Sequence, residues 1–157
     1  MNQSVFDPDT FMNQQIEGKL ETHFTPVPED DYTGLIDDLA FGEITNSQTG
    51  QKQRVLNISW ALLDEKAQKA MERDKPLVQQ TVFLDFEKNG SLSTGKNKNI
   101  MLGQIREAVG QNSGAAWSFG MLRGAGPALL KITHQASKDD PEMKYPRVKR
   151  VAKLLSK

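Results

Sequence analysis

One amphipathic segment, residues 95–110 (GKNKNIMLGQIREAVG), constrains the fold of this chain more than any other part of the sequence. The apolar residues that recur there at the spacing of one helical face are Met101, Leu102, Ile105, Ala108 and Val109. Gly110 follows where a helix commonly ends on a left-handed glycine. The pattern predicts one principal helix at 99–109, in a chain whose other ordered segments are mostly typical of strands.

Five further segments have the residue types and alternation of β-strands, and they lie at 32–45, 52–63, 77–84, 128–134 and 145–155. A short polar helix is predicted on the surface at 64–75. The turn at 46–51 joins the first two strands into a hairpin, and Asn89-Gly90 is a second turn signal. Gly34 and Gly42, inside the first strand, predict bulges or bends there.

The resulting order is strand, strand, strand, helix, strand, strand (β-β-β-α-β-β). It predicts a mainly β protein with one principal helix. It is also the order of an OB-fold, a partly open five-stranded Greek-key barrel that binds oligonucleotides or oligosaccharides. Other small β-barrels have no role for this helix. We therefore expect its apolar face to close the open end of a β-barrel formed by residues 31–157.

Residues 1–30 are predicted to form an acidic N-terminal arm, because they lack sustained periodicity. A short helix is predicted after Asp7-Pro8-Asp9-Thr10, where a helix-start signal precedes apolar residues at helical spacing. Residues 25–31 (TPVPEDD) are rich in proline and acid, which favours an extended linker outside the core.

The net charge of zero hides a strong asymmetry along the chain. Residues 1–50 carry ten acidic side chains against Lys19 as their one base, a net charge of −9, and the rest of the chain carries +9. Such a distribution suggests an acidic segment attached to a basic body, so the net charge of zero does not argue against binding to nucleic acid. An uneven scatter of ordinary surface charge is the alternative.

Composition excludes several chemistries. The chain has no cysteine, so disulfides, thiol nucleophiles and cysteine-based metal sites are excluded. The sequence contains neither a secretory signal pattern nor an apolar run of membrane length, which predicts a cytoplasmic protein.

Two segments approach catalytic motifs without completing them. Gly90–Asn97 has the glycines and lysine of a phosphate-binding loop, but it ends on Asn where Ser or Thr would bind Mg²⁺. Pro8-Asp9 and Glu17-Gly18-Lys19 contain the letters of a metal-dependent nuclease, whose carboxylates must grip a metal from adjacent strands, whereas this region is predicted helical or irregular. His23 and His134 are far apart in sequence. We therefore predict no enzymatic activity, no cofactor and no metal site.

Several short motifs carry a resemblance to a known family. They are Pro26-Val27-Pro28-Glu29, Leu84-Asp85 with Asn89-Gly90, Asn99-Ile100-Met101-Leu102-Gly103, Ile105-Arg106-Glu107-Ala108 and Val148-Lys149-Arg150-Val151. Over most of residues 26–152 the chain resembles the single-stranded-DNA-binding proteins of tailed bacteriophages. The resemblance implies an OB-fold and a role in phage DNA replication or recombination, in the host cytoplasm. Unlike better-known bacterial single-strand binders, this chain has a basic C-terminus and no acidic tail.

A single-strand binder needs cations along a groove, to follow the phosphates. In an OB-fold the site lies over the second and third strands and between two loops, which correspond here to 46–52 and 135–144. The predicted nucleic-acid-binding cations are Lys52, Arg54, Lys96, Lys98, Lys138, Lys144, Arg147, Lys149 and Arg150.

Such a protein also needs aromatic rings on which bases stack. Phe83 is the first candidate, because it shares a strand face with polar Gln79 and Thr81. Tyr145, beside the basic run, is the second. Trp60 is predicted either to stack or to pack in the core, and the core is favoured because its strand face is otherwise apolar.

The sequence thus predicts a single-stranded-DNA-binding protein without strong sequence preference. The acidic arm is expected to screen the groove or to recruit a replication or recombination protein, and assembly into a homo-oligomer stays open. Two alternatives remain: a structural or assembly protein that uses a small β-barrel as its scaffold, and a metal-dependent nuclease.

Overall fold

The computed structural model describes residues 6–23 and 25–154. Its elements are helix α1 (Pro8–Met12), strands β1 (Asp30–Thr45) and β2 (Lys52–Leu62), helix α2 (Glu65–Met71), strand β3 (Leu77–Phe83), helix α3 (Ile100–Ala108), a 3₁₀ turn (Phe119–Leu122), and strands β4 (Ala128–Ala136) and β5 (Lys144–Lys153). The predicted mainly β fold and its order of strands around one principal helix are confirmed.

The five strands form one open antiparallel sheet in the order β3-β2-β1-β4-β5. The long central strand β1 pairs with β2 along Gly34–Thr45 and with β4 along Asp30–Gly34. Every neighbouring pair is antiparallel, so the two edge strands, β3 and β5, run in the same direction. These edges contact each other, and α3 contacts both of them. The sheet is therefore curved, with α3 lying across its two edges.

The inward face of β2 is at the centre of the core. Leu56, Ile58 and Trp60 are each 0% exposed, and burial of such side chains stabilises a fold by roughly 1.5–3 kcal/mol each. Trp60 satisfies its one polar group there, because its indole Nε1 donates a hydrogen bond of 2.8 Å to Oε1 of Gln80. Of the two alternatives predicted for Trp60, packing in the core is confirmed and stacking on a base is wrong.

Helix α3 is attached to the sheet through its buried face and through its first residue. Leu102, Ile105 and Ala108 are buried. Met101, predicted as part of the same face, is instead 41% exposed, because it lies at the margin of the stripe that the two strand edges cover and lines the space between them. The side chain of Asn99 accepts from the amide of Asp85, which ties the start of the helix to the segment after β3.

The bulge in β1 does not lie at either of its glycines. The register with β2 shifts between Ile36 and Asp38, whereas Gly34 and Gly42 both pair regularly. The prediction of bulges at these two glycines is therefore wrong. Gly34 allows close packing instead, since a Cβ there would lie 2.6 Å from Cδ1 of Leu130.

The segment before β1 packs into the core at its end and is exposed in its earlier part. Val27 is fully buried in the core and the hydroxyl of Tyr32 donates to the carbonyl of Pro28 at 2.6 Å, so residues 25–31 are not a linker outside the core. Residues 6–22 are exposed, including the short α1 that was predicted after Asp7-Pro8. Within the part of the chain that the structure describes, every helix is too short or too polar to cross a membrane.

Candidate nucleic-acid interface

A groove of about 540 Å³ runs between the two edge strands, and we call it the β3–β5 groove. It receives side chains from four parts of the chain: β3, the start of α3, the end of β4 with the following loop, and β5. Its lining residues with polar or large side chains are Gln79, Gln80, Thr81, Phe83, Met101, Gln135, Ser137, Lys138, Tyr145, Arg147 and Lys149.

Both predicted stacking residues lie in this groove. The alternation of β3 turns Val78 and Val82 into the core and leaves Phe83 54% exposed on the opposite face. Tyr145, the second residue of β5, is 49% exposed and lines the groove from the other strand. The curved sheet thus places two exposed rings, which are far apart in sequence, on the two walls of one groove.

The polar side chains beside Phe83 are held by bonds across the sheet. The hydroxyl of Ser59 donates to Oε1 of Gln79 at 2.9 Å, and the hydroxyl of Thr81 donates to Oδ1 of Asn57 at 3.0 Å. These bonds fix the outward face of β3 and leave the amide NH₂ of Gln79 to donate to a ligand. In the sequence, Gln79 and Thr81 indicate the strand face on which Phe83 lies, but they were not predicted to be part of the site.

The charge of the groove is uniformly positive. Of the residues that the structure describes, Lys138, Arg147 and Lys149 line it and no carboxylate does. Within residues 6–23 and 25–154, none of these three cations has a carboxylate oxygen within 4.0 Å. Cations without such partners in a concave surface attract a polyanion, since the walls of a groove focus the field.

One acidic residue of the β4–β5 loop, Asp140, contacts His23 of the arm. Oδ2 of Asp140 lies 2.9 Å from Nε2 of His23. The hydrogen bond with His23 lowers the pKa of Asp140 below its ordinary value, so its carboxylate stays charged at neutral pH. His23 is therefore attached to the same loop that brings Lys138 to the groove.

Four of the predicted cations lie elsewhere, with Lys52 and Arg54 on β2, Lys96 before α3, and Lys144 at the first residue of β5. Nζ of Lys52 is 3.9 Å from Oε2 of Glu43 near the tip of the β1–β2 hairpin. The guanidinium of Arg54 lies 5.2 Å from the centre of the Phe86 ring. Lys96 and Lys144 are exposed. Neither of them lines the β3–β5 groove or the neighbouring groove between α3 and β5.

The other two predicted cations, Lys98 and Arg150, lie in a second groove of about 530 Å³. It runs between α3 and β5, and we call it the α3–β5 groove. Lys153, which was not among the predicted cations, lines it as well, and Glu107 is the one carboxylate that lines it within the described residues. The predicted cations are therefore distributed over two grooves and the hairpin rather than one surface.

Sequence reasoning also missed an aromatic cluster on the inner side of the hairpin. The rings of Phe41 and Phe119 meet edge to face at 5.1 Å, and Trp117 lies 5.0 Å from Phe119. Arg106 stacks over Trp117 at 4.2 Å. Phe41 stands at an inward position of β1 where the hairpin extends beyond the core, and its neighbours come from the long loop after α3, so no local pattern could have indicated the cluster.

One group of side chains has the donor types of a metal site. The ligand atoms of His23, Asp140 and Glu142 lie within 4.8 Å of one another, and a histidine with two carboxylates suits zinc. The 2.9 Å between His23 and Asp140 is the length of a direct hydrogen bond, and both side chains are partly exposed. The geometry is that of a hydrogen-bonded pair at the surface.

Comparison with models of known protein families finds none that matches this chain, and comparison with characterised proteins finds no match either.

Proposed function

We propose that this chain is a sequence-nonspecific single-stranded-DNA-binding protein that protects single strands during phage DNA replication or recombination. The observation that carries the proposal is the composition of the β3–β5 groove, where exposed rings on both walls lie beside three cations and, in the described part of the chain, no carboxylate. Proteins that bind single strands combine these two features, because cations follow the phosphates while aromatic faces stack on any base.

The arrangement of the sheet supports an OB-fold as the scaffold of this function. In that fold a helix follows the third strand, and the ligand lies against the second and third strands between two loops. Here α3 follows β3 and contacts both edge strands, and the groove is lined by β3 and the β4–β5 loop. We propose that β3 and β5 face each other across the open side of such a barrel.

The chemistry of the groove favours binding without sequence preference and without catalysis. Lys138, Arg147 and Lys149 suit phosphates, which carry no sequence information. Stacking on Phe83 and Tyr145 is equally available to all four bases. The exposed acidic arm is proposed to screen the groove or to recruit a replication or recombination protein.

A fluorescence titration with labelled dT oligomers at two salt concentrations tests the proposal. We expect binding at low salt that weakens steeply as salt rises, because each neutralised phosphate releases counterions. The oligomer should survive in Mg²⁺. Cleavage would favour the nuclease, and absence of binding at low salt would favour a structural or assembly role.

A matched pair of variants identifies the groove as the site. Replacing Arg147 and Lys149 with Gln should lower the slope of log affinity against log salt by about 1.4, since each phosphate contact contributes about 0.7 for single strands. Replacing Arg73 and Lys88 with Gln removes the same charge outside both grooves, and the slope should then stay unchanged.

A further inference from the structure

The two basic grooves adjoin at β5, where two consecutive cations point into different grooves. Lys149 lines the β3–β5 groove and Arg150 lines the α3–β5 groove. In a regular strand, consecutive side chains point to opposite faces, and one of the two would turn toward the core. Both are exposed here, because the pairing with β4 steps from Lys131–Arg150 to Ile132–Val148 and leaves Lys149 as the unpaired residue of a bulge.

The grooves adjoin a second time at the first turn of α3. Ile100 lines the α3–β5 groove and its neighbour Met101 lines the β3–β5 groove. Both side chains are exposed, at 56% and 41%. At the border between the two grooves, β5 therefore contributes the cations Lys149 and Arg150. On the other side of the border, α3 contributes the exposed apolar side chains of Ile100 and Met101.

The α3–β5 groove has the charge of a path for phosphates. Lys98 approaches it from the segment before α3, and Arg150 and Lys153 approach it from β5. Glu107, which also lines it, lies near the far end of α3 and receives a hydrogen bond of 3.3 Å from Asn112. Within the described residues none of the three cations has a carboxylate oxygen within 4.0 Å.

We propose that a single DNA strand bound in the β3–β5 groove continues past Lys149 and Met101 into the α3–β5 groove. There Lys98, Arg150 and Lys153 neutralise additional phosphates. The binding site is thus one channel that turns around the bulge of β5, and it holds more nucleotides than the β3–β5 groove alone. This inference rests on the proposed function and deepens it, by assigning a second segment of the site and the phosphates that it binds.

The test compares a short and a long oligomer on the triple variant Lys98→Gln, Arg150→Gln, Lys153→Gln. A dT oligomer of about four nucleotides fits the lower end of the range for one OB-fold, and one of about twenty-five exceeds the upper end. We expect the variant to bind the short oligomer as the unmodified protein does. For the long oligomer its salt slope should fall by about 2, because three phosphate contacts are lost.

The control variant Lys69→Gln, Arg73→Gln, Lys88→Gln removes three positive charges outside both grooves, and the slope for the long oligomer should stay unchanged. An independent measurement is the amide NMR signal of Gly103, which lines the α3–β5 groove and should shift on addition of the long oligomer and not of the short one.

The inference is overturned if the triple variant binds the long oligomer with the unmodified affinity and slope, or if both oligomers weaken equally. In those cases Arg147→Gln with Lys149→Gln would still weaken binding, so the proposed function would stand. Absence of binding of either oligomer to the unmodified protein would overturn both the function and the channel.

Discussion

Phe83 and Tyr145 line one groove from strands that lie at opposite edges of the sheet. Each side chain is about half exposed, so part of its apolar ring is accessible to a base. Exposed aromatic rings on two walls of a cationic groove are suited to hold bases while the cations hold phosphates.

Removing either ring should weaken binding of single-stranded DNA. We expect Phe83→Ala and Tyr145→Ala each to reduce the free energy of binding to dT oligomers by about 1–3 kcal/mol, because one base loses its stacking partner. Fluorescence titration at constant salt measures the change, and the salt slope should stay the same. Phe41→Ala removes a somewhat more exposed ring outside the groove, at 63%, and serves as the control. A comparable loss from Phe41→Ala, or no loss from the other two, would show that these rings do not stack.

The hydrogen bond between Trp60 and Gln80 should contribute measurably to stability. Gln80→Leu leaves the buried indole N–H without an acceptor, which should lower the free energy of unfolding by about 1–3 kcal/mol. Its neighbour Gln79 is exposed, so Gln79→Leu should change stability by no more than about 0.5 kcal/mol. Urea unfolding followed by circular dichroism compares the two variants. Equal effects would contradict a specific role for the buried bond.

Two glycine substitutions should have opposite signs. A Cβ at Gly34 would lie 2.6 Å from Cδ1 of Leu130 and 3.3 Å from Cε3 of Trp60, both in the core. Gly34→Ala should therefore destabilise by about 1–3 kcal/mol. Gly103 lies inside α3 with no atom within 4 Å of an added Cβ, so Gly103→Ala should stabilise by about 0.5–1 kcal/mol through helix propensity. Thermal unfolding of both variants decides the matter, and a stabilising Gly34→Ala would refute the packing argument.

Much of the fold could be predicted because burial along a strand is a local property of the sequence. Leu56, Ile58 and Trp60 alternate with polar neighbours and all point inward, and Phe83 points outward as its position beside Val82 indicates. The glycines of β1 show the limit of this reasoning. A glycine in a strand is typical of a bulge and also of close packing, and only the position of Leu130, from a distant strand, distinguishes the two at Gly34.

The site could be predicted only in part, because the grooves depend on contacts between distant segments. The side chains of Lys149 and Arg150 are both exposed because of a bulge that is fixed by pairing with β4. Met101 shares the helical periodicity of the buried face, but how wide a stripe of α3 is covered depends on the two strand edges beneath it. Periodicity shows which residues share a helical face, but it does not show which residues of that face are buried by the neighbouring strands.

Tyr32 should titrate at higher pH than an ordinary tyrosine. Burial raises its pKa above the ordinary value of 10.0, and the nearby charge of Lys66 opposes the shift only in part. Because the folded state favours the neutral phenol, this contribution to stability is complete below the unfolded pKa and is lost as pH rises through the folded pKa.

Absorbance of tyrosinate measures the shift in the variant Tyr145→Phe, in which Tyr32 is the one remaining tyrosine. The midpoint should lie above 10.0, and Lys66→Gln should raise it further, since the opposing charge is removed. A midpoint at or below the ordinary value would contradict the burial of this phenol.

The acidic arm should reduce the affinity of the groove for DNA. His23 attaches the arm to the loop that carries Lys138, and residues 6–22 contain four carboxylates against Lys19. Deleting residues 1–20 should therefore raise the affinity for dT oligomers roughly two- to fivefold at low salt, and the gain should disappear at about 1 M salt, where charges are screened within about 3 Å.

Two full-length variants separate charge from apolar surface in this prediction. Neutralising Asp7, Asp9 and Glu17 as Asn, Asn and Gln should reproduce the gain, because the arm then keeps its length and loses its negative charge. Replacing the exposed Phe11 and Met12 with Ser should leave the affinity unchanged. If the deletion lowers the affinity, or if the Ser variant alone reproduces the gain, electrostatic screening by the arm is wrong and its apolar side chains are what contact the groove.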